Sequence, residues 1–345
     1  MQSDVLAKCI AIANSNYANR LYDDIPIIKL YEPGGIASKA TGICHYCSVD
    51  VLKSILEHKC LRFSDVRFLN DSTEFMEIIW LIEEVISDSK YRMEFRGLIL
   101  ESGVMNELRE YEQSYIGKTK TLLHYEMKKY RTYTCSLSTD RDSLNMWNYY
   151  AASGDGVNIC FDYAWNMFDG SEKSELNSDS KLEDGIIICR GVVVYNRSAK
   201  KMCVQRLLDN LQEIYEQEKA RDKDSEQIIL WAFKESVNNM RCFFKNEAFE
   251  CENEYRVVLK IPEDIVLNNE EREDNIFRKG QFKRGNIWIP YVDYKLKKES
   301  MKEITINPYE NSESVFKLGI KEMLWQNELN KIDIVHSGIP IRKYN

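Results

Sequence analysis

The stretch Glu250-Cys251-Glu252-Asn253-Glu254-Tyr255-Arg256-Val257-Val258-Leu259 constrains this chain more than any other, because it reads as a strand with charge on one side and apolar groups on the other. Successive side chains of a strand point to opposite faces, so Glu252, Glu254 and Arg256 share one face while Tyr255, Val257 and Leu259 share the other. The apolar face calls for a core. The charged face has two outcomes. It is solvated at a sheet edge with its charges paired, or it opens on a cleft where two carboxylates can grip a polar ligand. A carboxylate withdrawn from water without a cation or several donors is costly.

Composition narrows the class. The 345 residues are 44% hydrophobic and 30% charged, the balance of a soluble globular protein. There is no apolar run of the roughly eighteen residues that a spanning helix needs. The opening Met1-Gln2-Ser3-Asp4 lacks the basic start and apolar run of a secretory leader. A cytoplasmic protein with no membrane partner is expected. The ten cysteines, scattered through apolar runs, fit reduced core thiols rather than a disulfide framework. A net charge of -8 argues against a general polyanion-binding surface, yet leaves room for a local basic groove fed by Lys279, Lys283 and Arg284.

Periodicity then orders the chain. A first helix is expected from Ser3 to about Ala18, and a strand over 42–47 is followed by Ser48 as cap and a helix to His58. A second strand spans Cys60 to Ser64. Asn70 to Glu74 reads as the cap of a helix running to Ile86. Lys90 to Lys129 carries helical, charged patterning. Strand signals return at Arg131 to Ser138, Val157 to Phe161 and Gly185 to Tyr195, with a short aromatic helix from Leu144 to Tyr150. Two helices fill Ala199 to Phe244, ahead of the Glu-rich strand. Past Pro262 the chain is polar to Gly285. Strands at Asn286 to Val292, Lys302 to Asn307 and Ile332 to His336 then flank a helix from Ser312 to Asn327.

The expected fold is α+β, with a split, mixed or antiparallel β-sheet core in which two small sheets flank a cleft. Large helical insertions fall at about 90–129 and 199–244. Residues 1–41 form an N-terminal helix and lead-in, and 42–342 form one elaborated domain.

Few motifs carry chemistry by themselves. Cys44-His45-Tyr46-Cys47 has the spacing of half a zinc knuckle, but the second half is missing, so no metal site is assigned there. Phosphate loops of the Walker type, dinucleotide fingerprints and nucleophile elbows are absent from the sequence. Of His45, His58, His124 and His336, only His45 stands at the end of a strand beside other polar strand positions, Ser64 and Glu254.

Several ordered motifs together resemble one bacterial family. They are Cys44 to Ser48, Phe63-Ser64-Asp65, Leu69-Asn70-Asp71-x-x-Glu74, and Cys135-Ser136-Leu137-Ser138 with Asp142, Leu144, Met146-Trp147 and Tyr150. Glu252-x-Glu254-Tyr255-Arg256 and Ser337-x-Ile339-Pro340-x-Arg342 complete the set. The family is domain of unknown function twenty-nine seventy-one, whose members resemble accessory genes of phage-defence and mobile-element regions. More loosely, the chain resembles ADP-ribosyltransferases, which place a His or Arg on the first strand, a Ser or Tyr on the second and a Glu on a late strand.

That second resemblance implies NAD as substrate, with His45 on the adenosine-side ribose, Ser64 supporting Glu254, and Glu254 stabilising an oxocarbenium-like ribosyl cation. Glu252 would assist an incoming acceptor, protein or nucleic acid. Tyr46 or Trp147 would stack on a planar ring, and Arg256 would join the nucleotide site. The chain departs from the arginine-type enzymes in carrying Arg62-Phe63-Ser64-Asp65 where they have Ser-Thr-Ser, and from the polymerase type in having Ser64 for a tyrosine. Two other readings stand beside it. One is a metal-dependent nuclease or phosphohydrolase using Asp65, Asp71, Glu74, Asp142 and Glu254. The other is a non-catalytic nucleotide-binding module with Trp147, Tyr149 and Tyr150 around its pocket.

Overall fold

The computed structural model describes residues 43–69, 75–109, 121–122, 125–126, 130–151, 155–161, 167–168, 180–181, 186–218, 223–267, 277–310 and 313–341, together with residues 5, 7–9, 11 and 12. Asn70 to Glu74, His124 and Arg342 lie outside them. The strands are β1 (Ile43–Ser48), β2 (Cys60–Asp65), β3 (Thr121–Leu122), β4 (Tyr125–Glu126), β5 (Tyr130–Ser138), β6 (Gly156–Phe161) and β7 (Ser180–Lys181). They continue with β8 (Ile187–Val192), β9 (Glu254–Pro262), β10 (Phe277–Arg284), β11 (Ile287–Lys295), β12 (Met301–Ile306) and β13 (Asp333–His336). The helices are α1 (Val49–His58), α2 (Glu77–Ile86), α3 (Met93–Glu101), α4 (Val104–Arg109), α5 (Leu144–Tyr150), α6 (Arg197–Glu218), α7 (Lys223–Met240), α8 (Glu263–Leu267) and α9 (Glu313–Gln326).

The protein is α+β, with a mixed, largely antiparallel sheet. Among the described residues, one 11-stranded sheet runs β10-β11-β2-β5-β1-β6-β12-β13, and β9, β8 and β7 extend it from the other edge of β5. Only β12 and β13 pair in parallel within it. The two separate sheets expected from the sequence are therefore one sheet, and the division is local. Along its whole length β5 pairs with β9. Its opposite edge is shared: β2 takes Tyr133 and Thr134, whereas β1 takes Ser138 alone. Between those contacts β1 and β2 part, and a cleft opens over Cys135 to Leu137 of β5.

Local sequence explains the elements around that parting. Ser48 ends β1 by turning its hydroxyl to the Val51 amide at 3.3 Å, which starts α1. At the other end Lys59 adopts a left-handed conformation (φ 52°) and its amide reaches the Ile55 carbonyl, which returns the chain at once into β2. One face of the sheet packs Leu61, Phe63, Tyr133, Cys135, Leu137, Val257 and Leu259 against Leu52 and Leu56 of α1 and Ile320 and Leu324 of α9. The helical additions have a core of their own. In it α2, α3, α4, α6 and α7 gather around residues such as Phe95, Leu207, Leu211 and Phe233, joined by Val5 and Cys9 from the N-terminal helical segment.

Three expectations need correction. Residues 121–122 and 125–126 form a two-residue ladder, β3 with β4, inside a block read as helical throughout. The polar stretch before Gly285 contains β10, which the alternation test misses because its sequence, FRKGQFKR, is cationic rather than apolar. Basic residues are what protect an edge strand from adventitious pairing, so the strand is fixed by its hairpin partner β11 rather than by a buried face. Last, the Glu-rich strand begins only at Glu254, since Glu247–Glu252 is a 3-10 helix. Asn253, in the left-handed region at φ 42°, turns the chain from one into the other. Among the described residues no helix is long and apolar enough to cross a membrane.

Gly156 seats α5 beside the sheet, because a Cβ there would lie 2.2 Å from the Ala151 carbonyl oxygen at the end of that helix. The backbone offers no flexible end to yield. Gly156→Ala is expected to cost about 1–3 kcal/mol of stability, as overpacking does, and urea denaturation will read it as a lowered midpoint.

Candidate functional site

The cleft holds about 230 Å³ and is built where strands part. β1 brings His45 and Tyr46, β2 brings Arg62 and Ser64, β5 brings Thr134 to Ser138, and β9 brings Glu254 and Arg256. Phe68, Leu69 and Arg284 close one side. Met146 and Tyr150 of α5, with Lys245 and Glu252, close the other.

Strand register explains most of this set. Ser64 stands opposite Thr134, Ser136 opposite Arg256 and Ser138 opposite Glu254, so these side chains share the face turned away from the main sheet core. By alternation His45 belongs to the other face, with Ile43 and Cys47. It reaches the cleft because β1 has left β5 there, and its ring is hydrogen-bonded to the Ser136 backbone. Burial pushes the His45 pKa down from its ordinary value, and the hydrogen bond only partly opposes this, so the ring is neutral at neutral pH.

The floor is a buried charge network. Glu254, 1% exposed, accepts from Ser136 Oγ (2.5 Å) and Arg256 Nε (2.7 Å) on Oε1, and from Arg256 Nη2 (2.9 Å) and Lys245 Nζ (3.0 Å) on Oε2. Lys245 also donates to Glu252 Oε2 at 2.5 Å, and Tyr150 donates to Glu252 Oε1 at 2.7 Å. The remaining Arg256 Nη1 donates to the Cys242 carbonyl at 2.6 Å. Burial alone would raise the pKa of Glu254, but the charges and hydrogen bonds of Arg256, with Lys245 and Ser136, carry it down to about 2. Lys245 is likewise shifted upward: burial works against its charge, and Glu254 and Glu252 outweigh it. The two carboxylates and two cations balance.

The charged face of the sequence reading is thus neither a solvated edge nor a bare pair of carboxylates. Glu252 joins Glu254 and Arg256 although it precedes the strand, because the turn at Asn253 brings it back beside them. Lys245 was missed by sequence reasoning. Its signal was weak: a lysine directly after the apolar Phe243-Phe244, at the point where the chain bridges to Val194 and becomes buried. Ser136 could have been read from β5 itself, where Thr132, Thr134, Ser136 and Ser138 alternate with Tyr133, Cys135 and Leu137.

Trp147 is a correction. It is fully buried behind the cleft, edge-on to Tyr46 at 4.8 Å between ring centroids, and its indole nitrogen donates to Asp142 at 2.7 Å. No face of it is open to stack on a ligand. Instead it fixes Tyr46, whose hydroxyl also donates to the Asp140 carbonyl and accepts from the Ser143 amide. Asp142 in turn accepts from Ser337 Oγ and the Gly338 amide, both at 2.7 Å, so Asp142, Trp147 and Ser337, far apart in sequence, form one brace.

The described carboxylates of the nuclease reading, Asp65, Asp142 and Glu254, are each engaged by separate partners. Asp65 is taken by Arg67, Asp142 by that brace and Glu254 by Arg256, while Asp71 and Glu74 lie outside the described residues. Among the described residues there is no group of three or more His, Cys, Asp or Glu placed to hold a metal ion.

Comparison with known proteins gives one result. Residues 146–257 match the family described as "Protein of unknown function (DUF2971)", the family that the ordered motifs resemble. The matched segment carries Met146, Tyr150, Lys245, Glu252, Glu254 and Arg256 of the cleft, whereas His45 and Ser64 precede it. No curated protein and no solved structure matches the chain.

Removing Glu254 strands Arg256 and Lys245 in a buried site. Glu254→Ala is therefore expected to cost about 3–5 kcal/mol in a denaturation experiment, against about 1 kcal/mol for Ser136→Ala. Because the folded-state pKa lies below the ordinary 4.5, at about 2, Glu254 adds stability above pH 4.5 that is lost as pH falls towards 2. Melting temperatures measured from pH 7 down to 2 should fall over that window, and less steeply in Glu254→Gln.

Proposed function

We propose that the cleft binds NAD or a related nucleotide, and that the protein is an ADP-ribosyltransferase-like or NAD-cleaving enzyme acting at the nicotinamide-ribose bond. One observation carries the reading: His45, Ser64 and Glu254, taken from three different strands, line one cleft together with Glu252, Tyr46 and Arg256. That is the triad of positions the resemblance assigns.

The chemistry suits the environment. A carboxylate held near pKa 2 does not exchange protons at neutral pH, so Glu254 serves as a fixed anion facing the developing charge of the ribosyl cation and not as a general base. Neutral His45 can hydrogen-bond a ribose hydroxyl. Tyr46, Phe68 and Tyr150 supply apolar surface for planar rings. Release of nicotinamide leaves ADP-ribose for water or for an acceptor. The role suits a toxin or phage-defence effector.

A second reading rests on the same carboxylate. Glu254 already accepts from three side chains on its two oxygens, as a structural keystone does, and a non-catalytic nucleotide-binding module would need nothing more.

Calorimetry with NAD and assay of released nicotinamide separate these readings. The enzymatic reading expects turnover that falls about a hundredfold or more in Glu254→Gln, assayed below the melting temperature of the variant. His45→Ala is expected to raise KM with little change in kcat, its contact being made in ground and transition states alike. NAD binding without nicotinamide release selects the binding module, and absence of both overturns the proposal.

A further inference from the structure

The hairpin of β10 and β11 extends the cleft wall into a surface unlike the rest of the chain. Residues 277–295 carry five Lys or Arg and one carboxylate, Asp293, in a protein whose net charge is -8, and of these Arg278, Arg284 and Lys295 share a face with Asp293 while Lys279 and Lys283 alternate to the other. Register places Arg278, Gly280, Phe282 and Arg284 of β10 beside Asp293, Tyr291, Ile289 and Ile287 of β11, and Tyr291 beside Ser64 of the cleft. This is therefore the same face of the sheet as the cleft.

The aromatic part of this face is closely packed. A Cβ on Gly280 would lie 2.4 Å from the Tyr291 ring, so glycine is what lets that ring lie across β10. Arg62 sits over the ring, its guanidinium carbon 3.6 Å from the centroid, with Phe282 at 5.8 Å. The two rings are 6.0 Å apart. Asp293 holds Arg62 in place through two hydrogen bonds of 2.9 and 3.2 Å, and Arg278 approaches the same carboxylate at 3.5 Å while its side chain stays 60% exposed. Arg284, exposed at the end of β10, donates to the Phe68 carbonyl and also lines the cleft.

We infer that this face binds single-stranded nucleic acid and delivers it to the cleft. The guanidinium of Arg62 and the ring of Phe282 offer planar surfaces on which unpaired bases stack, while Arg278 and Arg284 meet phosphates on either side. Stacking platforms of this kind need bases that have left a duplex, so a duplex of the same sequence binds less well. Continuity with the cleft makes the strand the acceptor of the transferase reading, and that part of the inference rests on that reading. In the transfer step the bond from the ribosyl C1′ to nicotinamide breaks, and nicotinamide leaves as a neutral molecule. A bond forms from C1′ to a nucleophilic nitrogen or oxygen of the strand, and the proton that atom loses passes to solvent.

The test uses the full chain with fluorescent twelve-nucleotide RNA and DNA strands, the matching duplexes, and polyglutamate as a competitor. Anisotropy should show single strands of either sugar binding at least about tenfold tighter than duplex. With two phosphates engaged, affinity should weaken about sevenfold between 50 and 200 mM salt. Arg278→Glu and Phe282→Ala should each weaken binding about tenfold while leaving NAD binding by calorimetry unchanged. Absence of strand binding at 50 mM salt, equal binding of duplex, wild-type affinity in exposed Arg278→Glu, or equal competition by polyglutamate would overturn the surface. Strand binding without any NAD binding or cleavage sinks the enzymatic reading and leaves the surface standing. NAD cleavage without strand binding does the reverse.

Discussion

The contact on which this structure depends is the bidentate pair between Glu254 and Arg256, two residues apart on β9 and almost wholly removed from water. Burying either ion alone would cost several kcal/mol, and the pair is tolerable only because further donors and acceptors complete it. Those partners come from elsewhere in the chain: Ser136 from β5, Lys245 and the Cys242 carbonyl from the segment after α7, Glu252 from the 3-10 turn, and through it Tyr150 from α5. Satisfying one carboxylate thus ties the helical additions, the aromatic helix and the sheet together at one point. Lys200 repeats the device one layer out, donating to both the Lys245 carbonyl and Glu77 of α2.

The cleft exists because β5 has more length than either neighbour on its open edge can cover. β2 pairs with the middle of it and β1 with its end, and the residues between present backbone to the gap. This frees a residue from the wrong face, His45, to reach a site assembled from the other. It also sets the electrostatics. The network at the floor is neutral in sum, while the rim towards β10 carries Arg62 and Arg284, so an anion approaching from that side meets cations before it meets carboxylates.

Much of the fold was legible because local rules act locally. Ser48 caps α1, Lys59 ends it, and alternation in β5 separates core-facing from cleft-facing positions. The two long helices, α6 and α7, lie close to the limits their periodicity suggested. The exceptions share a cause. β10 has no apolar face of its own and exists through pairing with β11. Trp147 looks like a ligand-stacking residue in sequence, but becomes the buried partner of Tyr46 once Asp142 and Ser337 meet behind it.

The sequence by itself determined that Glu254 and Arg256 point the same way, because a strand alternates, and that so much charge beside Val257 and Leu259 had to be paired or put to use. Which of the two holds was decided only by tertiary structure. Ser136 is 118 residues from Glu254 and Lys245 precedes it by nine across a 3-10 turn, and no local pattern reports that they will meet it. The place of His45 was decided in the same way, since alternation assigns its face but only the parting of β1 from β2 opens that face to the cleft. Periodicity is a property of one segment, whereas desolvation of a charge depends on every group within hydrogen-bonding reach, and those groups are brought there by the fold as a whole.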